Sequence, residues 1–350
     1  MQVSELVTPA LLVDRAVLTA NLAAADDLLA GTGKLIRPHV KTHRTPALAL
    51  LQQTAHARGV TCATVGEAEV MADAGISDIL IANEVVSPAK IERIVELASR
   101  ASVLVAVDAA EPVRTLSQTA ARAGVTLGVL VDLDVGLQRC GVRSAEAARD
   151  LAHVVSEAAG LRFAGVMGYE GRLRRSTPER SGKVEGAFDL LREAKGLIES
   201  SGTEVLVVSG AGTSTLSEAL RSSCLSEVQA GTYALMERDL EGLGLPFRCA
   251  VSILATVISR SANRVVVDLG RKTVGCEYGL PAPIGGAVSV AISEEHTVLE
   301  CVDETPQIGE LIRLLPSQVR TTFNLYDVAW LIQDDEVCER LDVTARGRSQ

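Results

Sequence analysis

Through the first two thirds of the chain, short apolar runs rich in β-branched residues alternate with longer stretches of helical periodicity. The runs fall at 35–40, 60–65, 78–82, 102–107, 126–132, 163–168, 204–209 and 226–230. They are nearly continuous in apolar character, as strands covered on both faces must be. Eight such strands alternating with helices predict a closed parallel (β/α)8 TIM barrel, with an open doubly wound sheet as the competing architecture.

An additional strand is predicted at 8–14, followed by a helix from 15 to about 29. Beyond residue 233 the rhythm changes. Strand-like runs at 248–259, 264–269, 287–292, 298–302 and 311–314 follow one another with no long helix between them. The expected α/β organisation is therefore a barrel over 12–235 and a second, mostly β domain over 236–345 that also takes in 1–11. Residues 344–350 are expected to fray.

Polar and glycine residues gather just past the strand ends, the face on which such barrels carry their chemistry. They include Lys41, Gly66-Glu67, Asn83, Asp108, the stretch 134–139, Tyr169, the stretch 209–213 and Gly231-Thr232. In Arg37-Pro38-His39-Val40-Lys41-Thr42-His43-Arg44, one lysine stands among basic and imidazole groups at the end of a buried strand. Lost solvation and neighbouring positive charge make such an amine release its proton, and a neutral amine forms Schiff bases with carbonyl groups. The competing reading is a solvated loop lysine.

Ser209-Gly210-Ala211-Gly212-Thr213 opens a helix after the seventh run, and Ala230-Gly231-Thr232-Tyr233 follows the eighth. Adjacent small-residue turns at these two strand ends suit a phosphate. Arg139 lies on a glycine-flanked loop after the fifth run, either contacting a ligand or pairing with an aspartate to shape the loop. Gly168-Tyr169-Glu170-Gly171 puts a phenol and a carboxylate after the sixth.

Composition narrows the picture. Apolar residues make up 47% of the 350 and aromatics only 3%, so the core must be built from Ala, Val, Leu and Ile. A formal charge of −10 disfavours a nucleic-acid partner. Seven singly scattered cysteines show no zinc or redox spacing and read as reduced thiols. No apolar run is long enough to cross a bilayer, and the first residues lack the order of a secretory signal, so a cytoplasmic protein without a membrane partner is expected.

Pro38-His39-Val40-Lys41-Thr42-His43, the run Gly59 through Glu69, Asp134-Val135-Gly136 with Arg139-Cys140-Gly141-Val142, and Ser293-Glu294-Glu295-His296 together resemble the D-threonine aldolase / D-serine dehydratase family, within the alanine-racemase-like, fold type III group of pyridoxal 5'-phosphate (PLP) enzymes. The resemblance spans nearly the whole chain. It implies a PLP barrel plus a β domain, a homodimer, and a lyase that cleaves or dehydrates a D-β-hydroxy amino acid.

It further implies that Lys41 is the Schiff-base lysine and the base at Cα, with His39 in the same motif. Arg139 lies near the cofactor's phenolic oxygen and Tyr169 beside its ring. Ser209, Gly210, Gly212, Thr213, Gly231, Thr232 and Tyr233 lie in the phosphate turns. Gln229 faces the pyridine nitrogen, which a neutral amide does not protonate, so the cofactor is a weaker electron sink than one partnered by an aspartate.

The family's divalent-metal ligands, a histidine and two residues later a cysteine or aspartate, align with Gln318 and Arg320. Arginine cannot ligate a cation and repels one, so no metal is expected there. Arg320 either orients a substrate oxygen or carboxylate as a fixed cation, or fills a vacated site. His296 lies near that segment in the family, although a lone histidine often only packs in a turn. Cys276 aligns loosely with a second acid/base tyrosine of alanine racemases. That alignment leaves a racemase or epimerase open as an alternative, against a plainly buried thiol. A third alternative is a PLP-binding protein without efficient turnover.

Overall fold

The structure, a computed structural model, describes residues 1–171, 173, 177–302 and 304–350. The chain forms two compact units, one from residues 26–41, 49–231 and 348–350 and the other from 1–25, 42–48 and 232–347. The strands through residue 228 are β1 (Ala10–Asp14), β2 (Leu35–Ile36), β3 (Val60–Cys62), β4 (Asp78–Glu84), β5 (Ser102–Val107), β6 (Leu127–Leu133), β7 (Leu161–Gly168), β8 (Val207–Gly210) and β9 (Glu227–Val228).

Strands β2 to β9 form the first unit's sheet, in the order β2-β9-β8-β7-β6-β5-β4-β3 and parallel throughout. The two ends meet through isolated parallel bridges, Ile36 with Ala57 and His39 with Thr61, which close the ring as the eight apolar runs predict. Leu80, Leu104, Ala106, Leu130, Ala164, Met167 and Val207 pack together as buried core. Each such aliphatic side chain withdrawn from water is worth about 1.5–3 kcal/mol.

Local chemistry sets the helix starts. The Thr64 hydroxyl accepts from the Glu67 amide at 3.1 Å ahead of helix Val65–Asp73, and Ser144 does the same for Ala145–Ser156. Gly124, at φ 68°, stops helix Ala110–Ala123 in the left-handed conformation that glycine adopts at little cost.

The remaining strands are β10 (Val251–Ser261), β11 (Arg264–Val267), β12 (Ala282–Pro283), β13 (Ala287–Ile292), β14 (Thr297–Cys301), β15 (Leu311–Leu315), β16 (Val328–Gln333) and β17 (Glu336–Asp342). They join β1 in a nine-stranded sheet ordered β13-β14-β11-β10-β1-β16-β17, with β15 on β10 and β12 on β15. β1 runs antiparallel to β10 and parallel to β16. Val3, Leu6, Ala10, Leu12, Leu254 and Ile332 form one of its apolar clusters.

Three strands have no counterpart among the predicted runs, the two-residue β12 and the pair β16 and β17. β16 is a short run of five apolar residues ending in Gln333, and β17 is an exposed, charged strand whose alternation is weak. The expected fraying of 344–350 is also corrected. The Ala345 amide donates to the Arg44 carbonyl at 3.0 Å, and the Gly66 amide donates to that of Gln350 at 2.7 Å. A Cβ on Gly66 would come within 2.8 Å of that same Gln350 oxygen, so the docked tail requires glycine there.

Candidate active site

Lys41 sits in a single 3-10 turn, Val40–Thr42, past the end of β2. The charges around it are not those its sequence neighbours suggest. Arg37 is fully buried and reaches Asp78 of β4 at 2.6 Å and Glu227 of β9 at 2.9 Å, so two carboxylates compensate its charge. His43 accepts the Thr45 amide on Nδ1 at 3.1 Å, which leaves that nitrogen unprotonated. The Lys41 Nζ lies 5.8 Å from the centre of the Tyr169 ring, within cation–π range.

A polar chain runs under this end of the ring. The Gln229 amide donates to the Ser209 hydroxyl at 3.0 Å, and that hydroxyl donates to Glu227 at 2.7 Å. Ser209 thus supports Arg37 through Glu227, and its hydroxyl proton is not directed to the turn that follows β8. Burial alone would push the Asp78 carboxyl up, but Arg37 and Arg58 outweigh it and hold the group below its ordinary value. Substituting Arg37→Ala strands the buried Glu227 without a counter-charge. The expected loss is about 3–5 kcal/mol, read as a lowered urea midpoint at unchanged slope.

The turn after β8 is built from inside. Ala211 holds φ 59°, a left-handed conformation uncommon outside glycine. The Gly212 amide donates to the Thr215 hydroxyl at 3.1 Å, and a Cβ on Gly212 would stand 3.5 Å from the Tyr169 ring. Thr213 is buried in the same turn, and Gly210 passes so close to β7 that a Cβ would meet the Gly168 carbonyl at 2.7 Å. His39 is buried, and its amide donates to Ala230 at 3.2 Å, tying the Lys41 segment to the strand end before Gly231.

Arg139 is exposed on the loop after β6, and its charge pulls down on the Asp132 carboxyl and the Cys140 thiol. The ion pair shaping that loop is made by Arg143, which reaches Asp134 at 3.0 Å. Asp132 carries a carboxyl pushed up to about 8 by burial, by a hydrogen bond with Glu84 and by the charges of Glu84 and Asp108, against the pull of Arg139. Between its ordinary value of 3.8 and about 8, the folded protein therefore holds a proton that the unfolded chain has released. Folding stability should fall as pH rises through that window. Asp132→Asn should flatten the fall, as urea unfolding across the window would show.

In the β-rich unit, Gln318 and Arg320 flank the start of helix Val319–Asn324. Gln318 is buried. With its amide nitrogen turned toward Glu277, 3.1 Å from each carboxylate oxygen, its carbonyl accepts from the Tyr278 hydroxyl at 3.2 Å. Thr321 bonds both Gln318 and Glu277. Arg320 lies 3.6 Å from the fully buried Glu237 carboxylate, whose other oxygen accepts the Val319 amide at 3.0 Å.

Cys276 is half-buried with its thiol donating to the Val274 carbonyl at 3.4 Å, and burial pushes the thiol up, which disfavours its thiolate. His296 stands exposed at the tip of the β13–β14 hairpin, its carbonyl accepting the Ser293 amide at 2.8 Å. Thr232 and Tyr233 open a 3-10 turn. Tyr233 is buried with its ring 5.8 Å from that of Phe247.

Glu237, Glu277 and the Glu84–Asp132 pair were not singled out from sequence, because each matters through partners distant in the chain. Among the described residues, no three His, Cys, Asp or Glu side chains gather so as to hold a metal ion, and no helix is long and apolar enough to cross a membrane.

The alanine racemase N-terminal domain profile matches residues 13–239 and the serine dehydratase domain profile matches 250–332. D-threonine aldolase of an Arthrobacter species is 37% identical, over 98% of this chain and 93% of that protein. A 3-hydroxy-D-aspartate aldolase of Paracoccus denitrificans is 33% identical, over 99% and 94%. The crystal structure of D-threonine aldolase from Filomicrobium marinum superimposes with a TM-score of 0.94 at 36% identity, covering 98% of this chain and 97% of that one.

The chain belongs to the D-threonine aldolase / D-serine dehydratase family. It is an alanine-racemase-like PLP enzyme of the lyase class. The barrel residues fit that cofactor. An amine held over an aromatic ring, a turn of small residues beside the same ring, and a buried carboxyl oxygen of Glu170 with no hydrogen-bond partner among the described residues meet at the strand ends.

Proposed function

We propose that the protein is a PLP-dependent lyase acting on a D-β-hydroxy amino acid, by retro-aldol cleavage or dehydration, without the divalent metal of its relatives. The observation that carries this is the Lys41 amine, 5.8 Å over the Tyr169 ring that also packs on the 209–215 turn. Lys41 would join the cofactor's aldehyde, the 209–215 and 231–233 turns would hold its phosphate, and Arg139, Tyr169 and Gln229 would line its ring. The cofactor, when bound, supplies the electron sink for the pair released at Cα. Lys41 Nζ then accepts and returns the substrate's proton.

The metal-free reading rests on Gln318 and Arg320. Gln318 is spent on Glu277, Thr321 and Tyr278, while Arg320 neutralises Glu237. This pairing supports Arg320 as a structural arginine filling a vacated site rather than a fixed cation for substrate. The Cys276 thiol is taken up by the Val274 carbonyl, which gives the racemase alternative no support. A cytoplasmic homodimer is part of the proposal.

The test is incubation with D-threonine and D-3-hydroxyaspartate. Release of glycine with an aldehyde marks cleavage, and release of a keto acid with ammonia marks dehydration. Solvent deuterium at an inverted Cα with neither product would overturn the lyase reading.

A further inference from the structure

Glu170 follows Tyr169 directly at the end of β7 and is buried, with 7% of its surface exposed. The Thr215 hydroxyl donates to its Oε1, and the Ala211 amide pulls the carboxyl down. Both groups belong to the turn after β8. The Glu170 carboxyl therefore holds that turn through Thr215, which in turn holds the Gly212 amide, and lies under the influence of its left-handed residue. The second oxygen, Oε2, is sealed from solvent and has no hydrogen-bond partner among the described residues, an expensive state for an ionised carboxylate.

We propose that Glu170 is a positioning residue of the phosphate turn and that it works as a neutral acid, fixing the turn without setting a negative charge against the phosphate it receives. The inference rests on the reading of the 209–215 turn as the PLP phosphate site. Burial is the largest influence on this carboxyl and pushes it up. Thr215 and the two backbone amides, its own and that of Ala211, pull it down, and Glu218 adds to the rise, so the group stays above its ordinary value. Glu218 is itself bound by Arg180 and held low, so it remains the nearby fixed anion. Ionising Glu170 would set its charge against a doubly charged phosphate, and PLP affinity should weaken as pH rises through its titration.

The experiment measures PLP dissociation constants by equilibrium dialysis at several pH values for the wild type, Glu170→Gln and Thr215→Val. Pyridoxal, which lacks the phosphate, is run alongside. The wild type should lose PLP affinity with rising pH more steeply than Glu170→Gln, while the two proteins should share one profile for pyridoxal, because the aldehyde chemistry is common to both ligands. Thr215→Val, which removes the donor that ties Glu170 to the turn, should weaken PLP by about tenfold and leave pyridoxal unchanged.

Identical PLP profiles for wild type and Glu170→Gln would overturn the neutral-acid proposal and leave the cofactor site standing. Failure of the wild type to bind either PLP or pyridoxal would overturn the cofactor site and this inference with it. Should Glu170→Gln fail to fold, equal PLP affinity in wild type and Thr215→Val would overturn the positioning role.

Discussion

Replacing Lys41 with alanine should give a folded, colourless protein that releases PLP on dialysis and turns over no amino acid at a measurable rate. Losing a positioned general base alone costs about 10²–10⁴-fold, and losing the covalent anchor adds to it. Because Lys41 sits in an isolated 3-10 turn and is only partly buried, its removal leaves the ring closure and the buried Arg37 network in place. Near-native thermal stability should therefore accompany the loss of colour. Lys41→Arg separates charge from chemistry, since it keeps a cation near Tyr169 and removes the nucleophile, and it should be as inactive as the alanine variant. A yellow, active Lys41→Ala protein would end the assignment of the reactive amine.

Wild-type activity should survive exhaustive chelation and gain nothing from Mn²⁺, Mg²⁺ or Zn²⁺, whereas the double variant Gln318→His, Arg320→Asp should acquire a metal response. Arg320→Asp takes a counter-charge from Glu237, whose side chain is wholly buried, and sets a second carboxylate near it, so the empty double variant should lose about 3–5 kcal/mol. A divalent cation then recovers that stability by neutralising both carboxylates and accepting the new imidazole. The measurement is the shift in Tm on titrating each metal into the double variant and into the wild type. A metal-dependent Tm or a strict metal requirement in the wild type would show that Gln318 and Arg320 do not close the site to cations.

The barrel was legible because a strand covered on both faces must be apolar throughout, and all eight such runs fall where strands β2 to β9 lie. The second unit was only partly legible. β17 is an exposed, charged strand, and its pairing with β16 is a long-range property that no local pattern announces. At the site, Lys41, Tyr169 and the 209–215 turn stood out in sequence because a lysine among basic groups, a glycine-flanked phenol and a run of small residues each follow a strand. Their electrostatics could not. Arg37 looks like a positive neighbour of Lys41 in sequence, yet Asp78 and Glu227, 41 and 190 residues away, take its charge. Glu237 was invisible for the same reason, since its partners Val319 and Arg320 lie about eighty residues further along the chain.

Among the described residues, the ring closes between β2 and β3 through two isolated bridges, whereas every other neighbouring pair in it shares a strand ladder. That seam runs directly into Lys41. On warming, the ring should open first along this seam and displace Lys41 before the bulk of the fold melts. Heat inactivation should thus run ahead of global melting, and a thermally hardened catalyst is better sought by stitching this seam than by enlarging the core.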